Sequence, residues 1–138
     1  MKIDGACLCG YLRYEADINP DRVAICHCTS CQTESASAFR VAVLVRKENF
    51  RLLAGTPKVY VKSSEAGRPR ALSFCPECGT ALHGSDPVDT QWYSLRLGTA
   101  RQRAELPPKI QIWCRSRLPW LAGLSTAREM QTQGEPPK

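Results

Sequence analysis

The 138-residue chain contains no apolar run near the roughly 20 residues that cross a bilayer as a helix, so no membrane-spanning helix is expected. Its opening, MKIDGACLCG, lacks the apolar stretch of a secretory signal. The expected location is therefore the cytoplasm, where thiols stay reduced. No internal repeat is evident beyond two Cys-x(1–2)-Cys-Gly corners, and positive charge is densest in RQR at 101–103, which reads as a solvated loop. No strip of interleaved basic and aromatic residues exists to stack single-stranded nucleic acid. Histidine is scarce. His27 and His83 are the only two, and neither has an evident acid–base partner in the sequence.

Cysteine, by contrast, is abundant for a reducing compartment. The eight are Cys7, Cys9, Cys26, Cys28, Cys31, Cys75, Cys78 and Cys114, and seven of them fall into three tight clusters. A framework of disulfides is disfavoured, because C-x-C neighbours fit the required Cα separation and dihedral poorly. The formal charge of +6 suggests an acidic partner. Seven thiolates holding two divalent ions would lower it to about +3, a modest excess that suits a small anion as well as a nucleic acid.

The pattern is strand-rich. Alternation predicts strands over 10–15 (GYLRYE), 38–46 (AFRVAVLVR), 58–62 (KVYVK), 92–97 (WYSLRL) and 109–113 (KIQIW). Turn signals separate them at Asn19-Pro20, Gly55-Thr56-Pro57, Asp86-Pro87 and Pro107-Pro108. One short helix is expected over 29–36, with Thr29 and Gln32 spaced as a capping box. A second helical turn is expected after Pro119. The class is all-β with one or two short helical turns. Residues 1–124 read as one domain, and 125–138 as a polar, flexible tail.

Cys75-Pro76-Glu77-Cys78-Gly79 has the form of a zinc knuckle. Two intervening residues let both sulfurs face one ion, and Gly79 supplies the positive φ that such a corner needs. The competing redox C-x-x-C belongs at a strand-to-helix turn, whereas Thr80-Ala81-Leu82 continues without helical periodicity. Structural zinc takes four ligands, and Cys7-Leu8-Cys9-Gly10 is the natural second pair. The remaining Cys26, Cys28 and Cys31 give three thiolates and an open fourth position, as a reactive zinc requires. Cys26 and Cys28 share a strand face, and Cys31 returns from the start of the helix, where its thiolate gains from the helix N-terminus. His27, between two same-face cysteines, should point away and be a satisfied structural histidine. His83 or Cys114 remains an alternative fourth ligand. An iron–sulfur cluster would ordinarily ask for four thiolates.

With these residues placed, the chain resembles the glutathione-dependent formaldehyde-activating enzyme family, also called the CENP-V/GFA domain. The resemblance spans about residues 5–121 and is carried by GACLCGYLRYEA, CHCTSCQTESASAF, FCPECGTAL and IQIWCRSRLPWL. It implies coiled antiparallel β-sheets around zinc, with two zinc ions per chain. Cys7, Cys9, Cys75 and Cys78 match the family's structural-zinc ligands, and Cys26, Cys28 and Cys31 match the zinc implicated in activity. The implied reaction joins glutathione to formaldehyde as S-hydroxymethylglutathione and is classed, in the reverse direction, as a carbon–sulfur lyase. There are two departures. Ala36 stands where many relatives have glycine, and Cys114 stands where an apolar strand residue is usual and is read as a small buried hydrophobe.

The expected chemistry follows. A three-thiolate zinc takes a substrate thiol as its fourth ligand and presents it as a thiolate to a nearby carbonyl. Cys26, Cys28 and Cys31 are thus the catalytic set, with a small thiol such as glutathione and an aldehyde as partners. Ser35, Ser37, Phe39 and Trp113 are candidate pocket residues, with plain packing as the competing explanation. Two other functions fit the same residues: a non-catalytic zinc-stabilised module that binds protein or nucleic acid, and a thiol redox sensor that releases zinc on oxidation.

Overall fold

A computed structural model describes residues 1–63 and 67–135. Among these residues ten strands form two sheets. They are β1 (Lys2–Ala6), β2 (Arg13–Asp17), β3 (Val23–Cys26), β4 (Arg40–Arg46), β5 (Phe50–Ala54), β6 (Lys58–Ser63), β7 (Pro69–Phe74), β8 (Ala81–Ser85), β9 (Trp92–Arg96) and β10 (Ile110–Ile112). The smaller sheet has the order β1-β2-β5, and the larger the order β10-β3-β4-β9-β8-β7-β6. One short α-helix, α1 (Thr29–Ser35), joins β3 to β4, and short 3-10 turns fill several connections. The all-β class with few helical turns holds. Among the described residues no helix is long and apolar enough to cross a membrane.

The alternating runs in the sequence locate four strands closely, namely β4, β6, β9 and β10. The fifth is displaced: the run at 10–15 yields β2 at Arg13–Asp17. Residues 7–12 are taken up by a tight turn, in which Gly10 N–H donates to Cys7 O and Cys7 N–H to Leu12 O. The sheets are also not wholly antiparallel, because β10 runs parallel to β3. It is set there by Lys109 N–H donating to Val23 O just after Pro107-Pro108. The 3-10 turn at Pro119–Thr126 occupies the place expected of the second helical turn. Residues 127–135 are exposed and carry no helix or strand, and 136–138 of the expected tail lie outside the described residues.

The core lies between the facing sides of the two sheets. Ile3, Tyr14 and Ala16 come from the smaller sheet, and Val23, Val43, Val45, Leu82 and Leu95 from the larger. Cys7 and Cys75 belong to this same buried cluster, so the first cysteine corner is built into the core. Aromatic rings bridge the sheets: Phe50 stacks on Tyr14 at 5.5 Å and meets Tyr93 at 5.2 Å and His83 at 5.3 Å. Burial, with the nearby Arg96 charge adding to it, pushes the His83 imidazole down to about 4, so it is neutral in its aromatic slot near pH 7.

Gly5 marks the closest approach of β1 to the 3-10 turn at Leu97–Thr99. A Cβ there would overlap the Thr99 carbonyl and the Tyr14 hydroxyl, whereas one on Gly98 meets nothing within 4 Å. Gly5→Ala should therefore lower the unfolding free energy by about 2 kcal/mol, and Gly98→Ala should stay within about 0.5 kcal/mol of wild type. Urea denaturation of the two variants measures both, and an equal effect would contradict the packing described.

Candidate metal centres

The first centre joins two distant corners of the chain. After β1 the chain turns through Cys7-Leu8-Cys9-Gly10, with Gly10 at φ 82°. After β7 it turns through Cys75-Pro76-Glu77-Cys78-Gly79, with Gly79 at φ 78°, the left-handed conformation that the sequence requires. Cys75 N–H donates to Thr80 O and Gly79 N–H to Cys75 O, closing the second corner. Thr80 ties the corners together, since its hydroxyl accepts from Leu8 N–H at 3.1 Å and lies 3.2 Å from Cys78 Sγ. That hydroxyl and the Thr80 backbone N–H push the Cys78 thiol down to about 5. Leu12 N–H donates to Cys7 Sγ at 3.2 Å.

All four sulfurs lie within 4.8 Å of one another. Cys7 and Cys9 Sγ are 3.6 Å apart, and Cys9 and Cys75 Sγ 3.8 Å. Four sulfurs arranged tetrahedrally at the usual zinc–sulfur length of about 2.3 Å would be about 3.8 Å apart. The same distances are far too long for disulfides, and all eight cysteines are free. The donor set therefore fits a tetrahedral thiophilic ion.

The second centre is local. Cys26 ends β3, Cys28 caps α1 and Cys31 sits in its first turn, and their sulfurs lie within 4.8 Å of one another. Cys28 Sγ accepts Cys31 N–H at 3.3 Å. The expected capping box is therefore corrected: the N-cap is Cys28, with the sulfur taking the role assigned to Thr29. Gln32 turns elsewhere, its side-chain amide donating to His27 O at 2.8 Å and Ser116 O at 3.0 Å. Cys26 and Cys31 are buried and Cys28 is half-buried, the geometry of a centre reached from one side. The Cys31 thiol, donating to Cys26, pushes the Cys26 thiol down to about 5 and is itself pushed up, so the pair readily gives one thiolate. Neither His83 nor Cys114 joins the three sulfurs.

The helix carrying this centre is pinned to the larger sheet by an ion pair. Glu34 accepts both guanidinium Nη2 contacts from Arg96 at 2.9–3.0 Å, and Arg96 also donates to Ser94 O and Oγ. Arg96 is 5% exposed. Neither residue was singled out by the sequence, and no motif there pairs them. His27 is buried as expected, with Nε2 2.9 Å from Gln111 Oε1 and its ring edge-on to Phe39, but Nδ1 is buried without a partner, so it is only half satisfied. Cys114 is corrected from buried to exposed. Trp113 adopts φ 57° and ends β10, so Cys114 starts a surface 3-10 turn instead of continuing the strand.

A cleft of about 740 Å³ runs beside α1, between Thr29, Ser30 and Thr33 on one wall and Lys58, Tyr60 and Phe74 of β6 and β7 on the other. None of the expected pocket residues Ser35, Ser37, Phe39 and Trp113 lines it. Ser35 instead bonds to Gln32 O and Phe39 O, and Trp113 lies under Arg115.

These features define a two-sheet β domain with one closed four-thiol group and one open three-thiol group, each able to hold a metal ion. The glutathione-dependent formaldehyde-activating enzyme family matches residues 2–116, and the chain belongs to that family. A protein of Schizosaccharomyces pombe named an uncharacterized lyase is 31% identical over 80 residues, which are 58% of this chain and 55% of that protein. The chain thus matches about half the length of that curated relative. A Rhodobacter sphaeroides protein of known crystal structure shares the fold, with a TM-score of 0.60 at 17% identity, covering 78% of this chain and 98% of the other.

Ala36 ends α1 at φ 49°, and Ser37 N–H reaches back to Gln32 O. This left-handed position is where glycine is favoured. Ala36→Gly should raise stability by about 1 kcal/mol, the approximate relief of a Cβ forced into that conformation. Thermal unfolding at constant metal content reads it out, and a loss of stability would contradict the cap geometry.

Proposed function

We propose that the protein is a zinc-dependent carbon–sulfur lyase that makes or breaks thiol–aldehyde adducts, resembling S-(hydroxymethyl)glutathione synthase. The observation that carries this reading is the contrast between the centres: four sulfurs converge in one and three in the other. In this reading Cys7, Cys9, Cys75 and Cys78 hold a structural zinc, and Cys26, Cys28 and Cys31 hold a second. Family membership and the lyase name of the fungal relative support it. The free thiols suit the reducing conditions of the cytoplasm.

When bound by three thiolates, zinc supplies a positive centre with one position left for a thiol, which it holds as thiolate near neutral pH. The chain's own residues fix where that happens. Cys28 holds its sulfur by capping α1, Cys31 is fixed by the helix that Glu34 and Arg96 anchor, and Cys26 is fixed by the β3–β4 pairing. The proposed substrates are a small thiol such as glutathione and an aldehyde, formaldehyde among them. In the forward direction a sulfur–carbon bond forms, the S–H proton leaves, and the carbonyl oxygen gains a proton. The reverse breaks that bond and releases thiol and aldehyde. Orientation of the two reactants supplies much of the acceleration. The proposed working unit is residues 1–124.

Turnover across a panel of thiols and aldehydes tests the reading, with the spontaneous reaction subtracted. Cys26→Ser and Cys28→Ser should each lower enzyme-dependent adduct turnover about 100-fold while the fold is retained, on the scale of losing one electrostatic stabiliser at a reacting centre. Wild-type rates in both variants would sink the catalytic assignment.

A further inference from the structure

Arg40 stands directly opposite Cys26 in the antiparallel β3–β4 pair, so the two side chains share a face of the larger sheet. Arg96 opposes Ala42 and lies on that same face. The two arginines differ in what surrounds them. Arg96 is fully engaged by Glu34 and Ser94. Arg40 makes no ion pair with a carboxylate among the described residues, and its Nε is buried without a hydrogen-bond partner. On its own face it stands opposite Cys26, whose sulfur lies within 4.8 Å of the Cys28 and Cys31 sulfurs. A half-buried cation without a carboxylate is better accommodated where another anion balances it. The four-cysteine group has no such arginine: its sulfurs are stabilised by backbone N–H groups and by Thr80.

We infer that Arg40 is a positioning residue that supplies the counter-charge of the three-cysteine centre and so tunes that centre to accept an anionic sulfur. The inference rests on the reading of this centre as an open metal site. Three thiolates around a divalent ion carry a net charge of about −1, and a fourth thiolate from the substrate raises this to about −2. Arg40 offsets the added charge from the same sheet face, in a half-buried setting where a charge is poorly screened. The centre thereby selects ligands that bind through a deprotonated thiol over neutral alcohols of the same shape.

The test uses Co²⁺-reconstituted protein and 2-mercaptoethanol, a thiol with no charge besides the one its sulfur acquires. Sulfur-to-cobalt charge-transfer absorption reports binding without turnover. Arg40→Met should weaken 2-mercaptoethanol binding about tenfold, on the scale of one partly screened charge pair, and Arg40→Lys should recover most of that loss. Both variants should keep the cobalt spectrum of the four-cysteine centre. Loss of cobalt from the second centre in Arg40→Met but not in Arg40→Lys also supports the counter-charge role. Wild-type affinity in Arg40→Met, or equal loss in both variants, overturns it. If wild type itself shows no thiol-dependent band, the open-site reading fails and the role of Arg40 falls with it.

Discussion

The convergence of four sulfurs from two distant corners is the constraint on which the rest of the molecule depends. Cys9 and Cys75 are 66 positions apart, yet their sulfurs stand 3.8 Å from each other. Closing a loop of that length has an entropic cost that core burial offsets and that an ion shared by the four sulfurs would offset further. Cys7 and Cys75 sit in the hydrophobic core, so a metal held at this corner would be coupled to core packing. Because the corner follows β1 on one side and β7 on the other, it fixes the smaller sheet against the larger. Thr80 adds a contact that holds the corners together through hydrogen bonds alone.

The second centre solves a different problem. Its three sulfurs come from six consecutive residues, so little entropy is lost in gathering them. What needs fixing is the direction in which they point. A strand end, an N-cap and a first helical turn do this locally, and the buried Glu34–Arg96 pair holds the helix to the sheet. Removing one partner of such a pair is far more costly than the pair's net contribution, so its worth lies in orientation more than in stability. The closed centre is thus a feature of the whole fold, and the open one is a local device mounted on it.

The two cysteine groups were legible because cysteine spacing carries its own geometry: C-x-C and C-x-x-C corners followed by Gly10 and Gly79 announce where the chain must turn. Strands with one face buried were legible through alternation, as in RVAVLVR of β4. Strands without alternation escaped. The β3 residues VAIC carry no polar position to mark a face, the β8 residues ALHGS carry only one large apolar side chain, and β1 and β5 are five residues each with mixed burial. Thr29 looks like the cap from sequence because a cysteine cap such as Cys28 has no sequence signature of its own. Cys114 was misread because only the left-handed Trp113 ends the strand before it. Arg40 and the Glu34–Arg96 pair depend on strand register and on the docking of α1, which no local pattern encodes.

If the two cysteine groups are separable metal centres, one closed by four cysteines and one left open by three, metal content must show it. Zinc per chain, measured by elemental analysis on protein purified without chelator, tests it most directly in wild type and Cys28→Ser. Wild type should carry close to two zinc ions and Cys28→Ser close to one, with the fold intact. One zinc in both proteins would contradict it, because the three-cysteine group would then be a thiol centre and not a metal site.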